Sequence, residues 1–379
     1  MKWSAQTVRE GRLKFIQEAL ETGLRFGELC AKYNISRNTG YKWLNRFLKE
    51  GENGLSDRSK ARITHRTKLS TMIKQKIIKL RIQFSKWGPK KIQSELRKQN
   101  FSVPSTGSIG NVLKNHGLSK PRNFRRHVAR TAPLKDCNAP NDVWMYDFKG
   151  YFKTGDGKLC EPLTITDGYS RYLIRCQHMN RKRAEDVWKV LEEAFKEYGL
   201  PTRIRSDNGP PFATIGIGRL SSLSIKLIKV GVTPEWIEPG KPEQNGRHER
   251  FHLTLKQEIA DPAAATLSLQ LAKIEQFIPY YNKIRPHEAL GQEPPNSVYY
   301  SSKRKWDGEL KSPVYSEEFE LRRVCKGGNI GWNGSTYFLS ETLYKEPVGI
   351  RPKGTEGVEV YYGPILLGMI DYKKGFKRQ

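Results

Sequence analysis

Apolar side chains recur at roughly helical spacing over residues 5–22, with Val8, Leu13, Phe15, Ile16 and Leu20 in phase until Gly23 breaks the run. Residues 26–33 predict a short helix, Asn34-Ile35-Ser36 a tight turn with Ser36 as N-cap, and residues 37–48 a second helix. Two such helices make a helix-turn-helix, whose second helix enters a DNA major groove. Arg37, Asn38, Thr39, Tyr41 and Lys42, near its start, are therefore candidate base or phosphate contacts; an ordinary helical hairpin with a solvated basic face is the alternative. A second helical unit follows: residues 69–84 are periodic, Trp87-Gly88-Pro89 stops them, Pro89 starts a helix over 90–99, and Pro104-Ser105-Thr106 opens another through Leu113.

Past Pro140 the pattern changes to short apolar runs. Residues 143–152, 161–166 and 172–177 read as three strands, 184–198 as an amphipathic helix, 203–205 as a strand and 234–237 as another. Helices follow over 245–259 and 267–281. A three-strand meander followed by alternating helix and strand predicts an α/β domain with a mixed sheet. Beyond residue 318, five runs (322–325, 336–339, 348–351, 358–362 and 366–370) alternate with Gly-containing turns and predict a small β barrel. The chain thus divides into a helix-turn-helix domain at 1–58, a second helical domain at 67–119, a linker at 120–140, an α/β core at 141–300 and a β domain at 318–379.

Charge gives the first of these a task. The chain of 379 residues has 67 Lys and Arg against 39 Asp and Glu, and residues 1–140 alone hold 31 basic against 9 acidic side chains. A field so concentrated in the front third attracts polyanions, of which nucleic acid fits best: no amphipathic helix sets Lys and Arg against a bulky apolar face, as a membrane surface requires. The linker adds Arg122, Arg125 and Arg126, which either track DNA or are merely solvated. No apolar run has membrane-spanning length and no signal region opens the chain, so a cytoplasmic, nucleoid-associated protein is expected. Five scattered cysteines without a Cys-x-x-Cys pair indicate neither a disulfide framework nor a cysteine zinc site, and reduced thiols are expected.

Three carboxylates stand where the α/β topology gathers ligands. Asp147 lies mid-strand among aromatic neighbours, where an unpaired charge is costly and a cation is a fitting partner. Asp207 follows a strand end in Ser206-Asp207-Asn208-Gly209, and Glu249 sits on the helix after the Pro239-Gly240-Lys241-Pro242 loop. Glu243 is nearer to Asp207 but lies in that loop. Hard oxygen ligands favour Mg²⁺ or Mn²⁺, and two such ions about 4 Å apart support in-line phosphoryl transfer.

Trp144-x-x-Asp147, Ser206-Asp207-Asn208-Gly209 with Pro211-Phe212, and Pro242-x-x-Asn245-Gly246-x-x-Glu249-Arg250 resemble the catalytic core of the DDE transposase and retroviral-integrase superfamily. Tyr281-Asn282-x-x-Arg285-Pro286-His287 is similar to the segment that follows that core in bacterial insertion-sequence transposases. The intervals of 59 and 41 residues fit, the second being long, with an insertion expected within 216–231. The resemblance implies a ribonuclease H-like core, a catalytic and metal-binding triad of Asp147, Asp207 and Glu249, and two Mg²⁺ or Mn²⁺ ions. It also implies binding of terminal inverted repeats and target DNA, and a homo-oligomeric synaptic complex, dimer or larger. Lys256, seven residues past Glu249 on the same helical face, is expected to reach a substrate phosphate, as the matching basic residue does in related integrases. Two other readings stand beside it: a non-catalytic DNA-binding regulator, and a zinc protease built on His248-Glu249-Arg250-Phe251-His252, which leaves Asp147, Asp207 and the basic front third unexplained.

Overall fold

The computed structural model describes residues 7–59, 69–119, 137–354 and 357–378, without the side chains of residues 242 and 243. Arg122, Arg125 and Arg126 lie outside the described residues. The chain forms two compact units, Met1–Leu69 and Ser70–Gln379.

The first unit holds helices α1 (Val8–Glu21), α2 (Phe26–Lys32) and α3 (Arg37–Glu50). Thr7 and Glu10 make a reciprocal capping box at the start of α1, and the Ser36 hydroxyl accepts from the Thr39 amide at 3.2 Å to start α3. Phe15, Ile16, Leu29, Cys30, Trp43 and Leu55 form its core. Gly40 is required where α3 meets α2, since a Cβ there would stand 2.7 Å from the Cys30 sulfur.

The second unit begins with α4 (Thr71–Gln83), α5 (Pro89–Lys98) and α6 (Thr106–Asn115), closed on buried Ile77, Leu80, Trp87, Ile92, Leu96 and Ile109. Its central sheet has the order β5-β4-β1-β6-β7, built from β1 (Val143–Phe148), β4 (Pro162–Asp167), β5 (Leu173–His178), β6 (Arg203–Ser206) and β7 (Thr233–Trp236). β1, β4 and β5 pair antiparallel, whereas β6 and β7 join parallel, so the sheet is mixed as expected. Helix α7 (Ala184–Tyr198) lays Val187, Leu191 and Phe195 against Trp144, Leu163 and Ile204. The expected first strand ends sooner, because Gly150 turns with φ 78° and β2 (Phe152–Lys153) pairs instead with β3 (Leu159–Cys160).

The stretch expected as an insertion contains α8 (Ser222–Lys229), capped reciprocally by Ser221 and Ser224. Its Ile225 and Ile228, with Ile217 and Leu220, share one core with the C-terminal strands. The long second interval therefore has a structural use: it seats the β domain on the core.

That domain is an open sheet rather than the expected barrel. Its order is β14-β13-β12-β11-β8, from β8 (Glu320–Arg323), β11 (Pro347–Lys353), β12 (Gly357–Tyr362), β13 (Ile365–Asp371) and β14 (Gly375–Arg378). A barrel closes when its two edge strands pair. Among the described residues β8 and β14 do not, and β9 (Asn329–Trp332) with β10 (Ser335–Phe338) forms a separate hairpin.

Candidate active site

The sheet delivers the three carboxylates from three elements. Asp147 lies near the end of β1, opposite Thr164 of β4. Asp207 follows β6 directly, where the Gly209 backbone amide donates to its Oδ1 at 3.1 Å and the Asn208 side-chain Nδ2 donates to the Ile237 carbonyl at 2.8 Å, shaping the turn. Glu249 stands in the first turn of α9 (Gly246–Leu255), where the helix dipole favours an anion. The loop before α9 is pinned by buried Gln244, which accepts from the Glu238 amide at 2.8 Å and donates to its carboxylate at 2.9 Å.

These placements put like charges within reach of one another. Burial above all, then the charge of Asp207 and to a lesser degree that of Glu249, pushes the Asp147 carboxyl up to about 7. Among the described residues no Lys or Arg forms an ion pair with any of the three; the nearest partner is His252, whose Nδ1 lies 4.0 Å from Asp147 Oδ2. The carboxylates are not drawn into a tight cage: no group of three or more His, Cys, Asp or Glu among the described residues stands close enough to hold a metal. The donor set, hard oxygen donors without an ion-paired Lys or Arg among the described residues, is of the kind that suits Mg²⁺ or Mn²⁺.

A proton is favoured on Asp147 in the folded chain, with its ordinary value at 3.8 and its folded value at about 7. The stability it contributes is therefore full below about pH 4 and lost as pH rises through about 7. Asp147→Asn should remove that loss, stabilising the metal-free chain at pH 8 by up to about 4 kcal/mol and hardly at all at pH 4. Urea unfolding at the two pH values measures it; equal effects at both would show that the carboxyl is not so perturbed.

Sequence reading missed the hydrogen-bond node under the site. Thr164 Oγ1 lies 2.8 Å from His248 Nε2, 2.8 Å from His252 Nε2 and 3.0 Å from the Asp147 carbonyl, while Thr166 Oγ1 lies 2.9 Å from His248 Nδ1. The two histidines of His-Glu-x-x-His thus turn their Nε2 atoms onto one threonine, tying α9 to β4 and β1. Burial drives both imidazoles to the neutral form, His252 down to about 3 with the Lys149 charge assisting. Lys149 was missed as well, although the two-residue period of a strand sets it on the side of Asp147. Its ammonium is lowered by burial and by Lys256, so these two lysines flank the site together. Lys256 does not continue the α-helix: the backbone widens into a π turn over Lys256–Ala260.

The helix-turn-helix candidates occupy the start of α3. Arg37, Asn38, Tyr41 and Lys42 are exposed and Thr39 is half-buried against Ser36. Tyr41 stacks on Phe26 at 4.2 Å, which fixes its ring on that surface.

Comparison with known proteins matches separate stretches of the chain. Residues 138–242 and 230–295 each match a family model for the integrase core domain, residues 12–63 one for a helix-turn-helix domain, and residues 39–113 one for a homeodomain-like domain. The chain is 28% identical over 180 residues to the insertion element IS476 uncharacterized 39.2 kDa protein of Xanthomonas euvesicatoria, covering 47% of this chain and 50% of that protein. It is 29% identical over 165 residues to the transposase for insertion sequence element IS904 of Lactococcus lactis, covering 42% and 61%. It is also similar to the simian T-cell lymphotropic virus intasome in complex with PP2A regulatory subunit B56 gamma, at 18% identity and TM-score 0.39, over 80% of this chain and 98% of that one. The central domain is an integrase core. Over these stretches the chain is similar to proteins of bacterial insertion elements, with an integrase core preceded by helix-turn-helix segments. It spans 50% and 61% of the length of the two relatives named. Among the described residues no helix is long and apolar enough to cross a membrane.

Proposed function

We propose that this chain is a DNA transposase that binds the terminal inverted repeats of a mobile element and catalyses metal-dependent 3′-end cleavage and strand transfer. The observation that supports the reading is the placement of Asp147 on β1, Asp207 directly after β6 and Glu249 on α9, near enough for the charges of Asp207 and Glu249 to raise the Asp147 carboxyl. Two Mg²⁺ or Mn²⁺ ions held there would activate the attacking oxygen and neutralise the leaving one. Asp147, Asp207 and Glu249 would hold them.

The remaining work falls to the protein's own side chains. Lys149 and Lys256 supply positive charge beside Asp147, suited to a phosphodiester. Arg37, Asn38, Thr39, Tyr41 and Lys42 would read the repeat, and Arg122, Arg125 and Arg126 would hold its backbone. Two ends must be joined in one event, so a dimer or larger synaptic assembly on DNA, in the nucleoid, is the expected working form. One phosphodiester replaces another in strand transfer, so no nucleotide cofactor is required.

Incubation with labelled end DNA, Mg²⁺ and a plasmid target tests this directly. Joined product is the expected result. Binding without cleavage in either Mg²⁺ or Mn²⁺ would leave a DNA-binding regulator, and nicking without joining would leave a nuclease.

A further inference from the structure

The hydrogen-bond arithmetic at Thr164 fixes the orientation of a histidine in the active site. A hydroxyl donates one proton and accepts two hydrogen bonds. Thr164 has three partners: the Asp147 carbonyl, which only accepts, at 3.0 Å, and the Nε2 atoms of His248 and His252 at 2.8 Å each. All three are satisfied together only if the hydroxyl donates to the carbonyl and both imidazoles donate from Nε2. The remaining nitrogen of His248 then accepts from the Thr166 hydroxyl at 2.9 Å. In the neutral ring the remaining nitrogen of His252, Nδ1, carries a lone pair, and it faces Asp147 Oδ2 at 4.0 Å.

With Asp147 ionised, as cation binding requires, two acceptors at that distance leave room for one water to donate an O–H to each. We propose that His252 is a positioning residue for the transposition chemistry: locked by Thr164 with its proton on Nε2, it shares with Asp147 a water whose oxygen lone pairs are thereby turned outward as the nucleophile of end cleavage. The inference rests on the transposase reading above and deepens it. Burial of His252, whose side chain is 13% exposed, keeps the ring neutral and its lone pair available. In cleavage the water oxygen bonds to phosphorus as the bond from phosphorus to the 3′-oxygen breaks. One water proton ends on that oxygen by way of solvent, so one water is consumed and His252 is unchanged. Strand transfer uses the 3′-hydroxyl in place of water and does not need this hydrogen bond.

Two substitutions separate the ends of the imidazole. The amide of His252→Gln reaches the Nε2 position and keeps the Thr164 contact; that of His252→Asn stands near Nδ1 and keeps an acceptor toward Asp147. If the water is the point, His252→Gln melts near the wild type yet loses about tenfold in end cleavage, the rate equivalent of one hydrogen bond, with strand transfer of precleaved ends nearly unchanged. His252→Asn then retains more cleavage than His252→Gln even if it is less stable. A purely structural histidine gives the reverse order. Nitrogen-15 spectra of the histidine-labelled full chain add a readout apart from activity: a protonated Nε2 and bare Nδ1 on His252 are expected, and the opposite tautomer overturns the inference. Equal cleavage by both variants overturns it while leaving the transposase reading intact. Absence of metal-dependent cleavage by the wild-type chain overturns both.

Discussion

Asp147→Asn, Asp207→Asn and Glu249→Gln should each lower Mg²⁺-dependent end cleavage by about a thousandfold or more, while end binding stays within a few fold of the wild type. Each substitution keeps side-chain volume and removes one anionic oxygen donor, so the loss falls on cation binding rather than on packing. Asp147 sits where the charges of Asp207 and Glu249 act on it, and it should be the most damaging of the three. Groups that act as a unit are not additive, so the double variant Asp147→Asn with Asp207→Asn should be no worse than Asp147→Asn alone. Gel-shift and cleavage assays on the same preparations measure both sides. A variant that still cuts in Mg²⁺ loses its place in the triad.

Thr164→Val should be the most damaging single change to stability near the site, by about 3–5 kcal/mol. Valine matches threonine in shape, so the loss isolates the hydroxyl. That hydroxyl meets two imidazoles and a strand carbonyl, and His248 has no exposure through which water could replace it. Stranding a buried donor costs about 1–3 kcal/mol each. Thr164→Ser keeps the oxygen and should lose only about 1 kcal/mol through the missing methyl. Denaturant titration of the two variants gives the difference; a valine variant within 1 kcal/mol of the serine one would show that the hydroxyl is not the node.

Local signals in the sequence carried much of this architecture. Ser36 read as an N-cap because a short polar side chain before an apolar period has few other uses, and its hydroxyl accepts from Thr39 as such a cap does. The antiparallel meander followed by parallel strands was legible from alternation and Gly-containing turns. What escaped was non-local or weakly patterned. β9, Asn-Ile-Gly-Trp, and β14, Gly-Phe-Lys-Arg, hold few branched residues and gave no strand signal, so five strands were counted and a closed barrel inferred. Helix α8 is only eight residues long and was read as an insertion, although its apolar face fills the core of the β domain. The fastening of the second helical domain to the core rests on pairs far apart in sequence. Trp87 donates to the Tyr280 hydroxyl at 2.9 Å, and Lys98 pairs with Glu293 at 2.9 Å.

The same division holds at the candidate site. Asp147, Asp207 and Glu249 were singled out by motif and by the cost of a charge among aromatics. The link from His248 and His252 to Thr164 spans more than eighty residues and leaves no mark on spacing. The His-Glu-x-x-His pattern looked like a zinc motif because spacing shows that two side chains share a helix face, not what they face. Here both Nε2 atoms face threonine. Lys256 shows the converse limit, since helical counting assumes a uniform helix and the π turn begins at that residue.

Everything turns on whether divalent cations gather at these three carboxylates. Anomalous diffraction from a crystal of the full chain with end DNA, soaked in Mn²⁺ and recorded at the manganese edge, answers it most directly. Two peaks are predicted among Asp147, Asp207 and Glu249. Peaks on His248 and His252 instead, or none near Asp147 with the DNA end in place, would contradict the assignment.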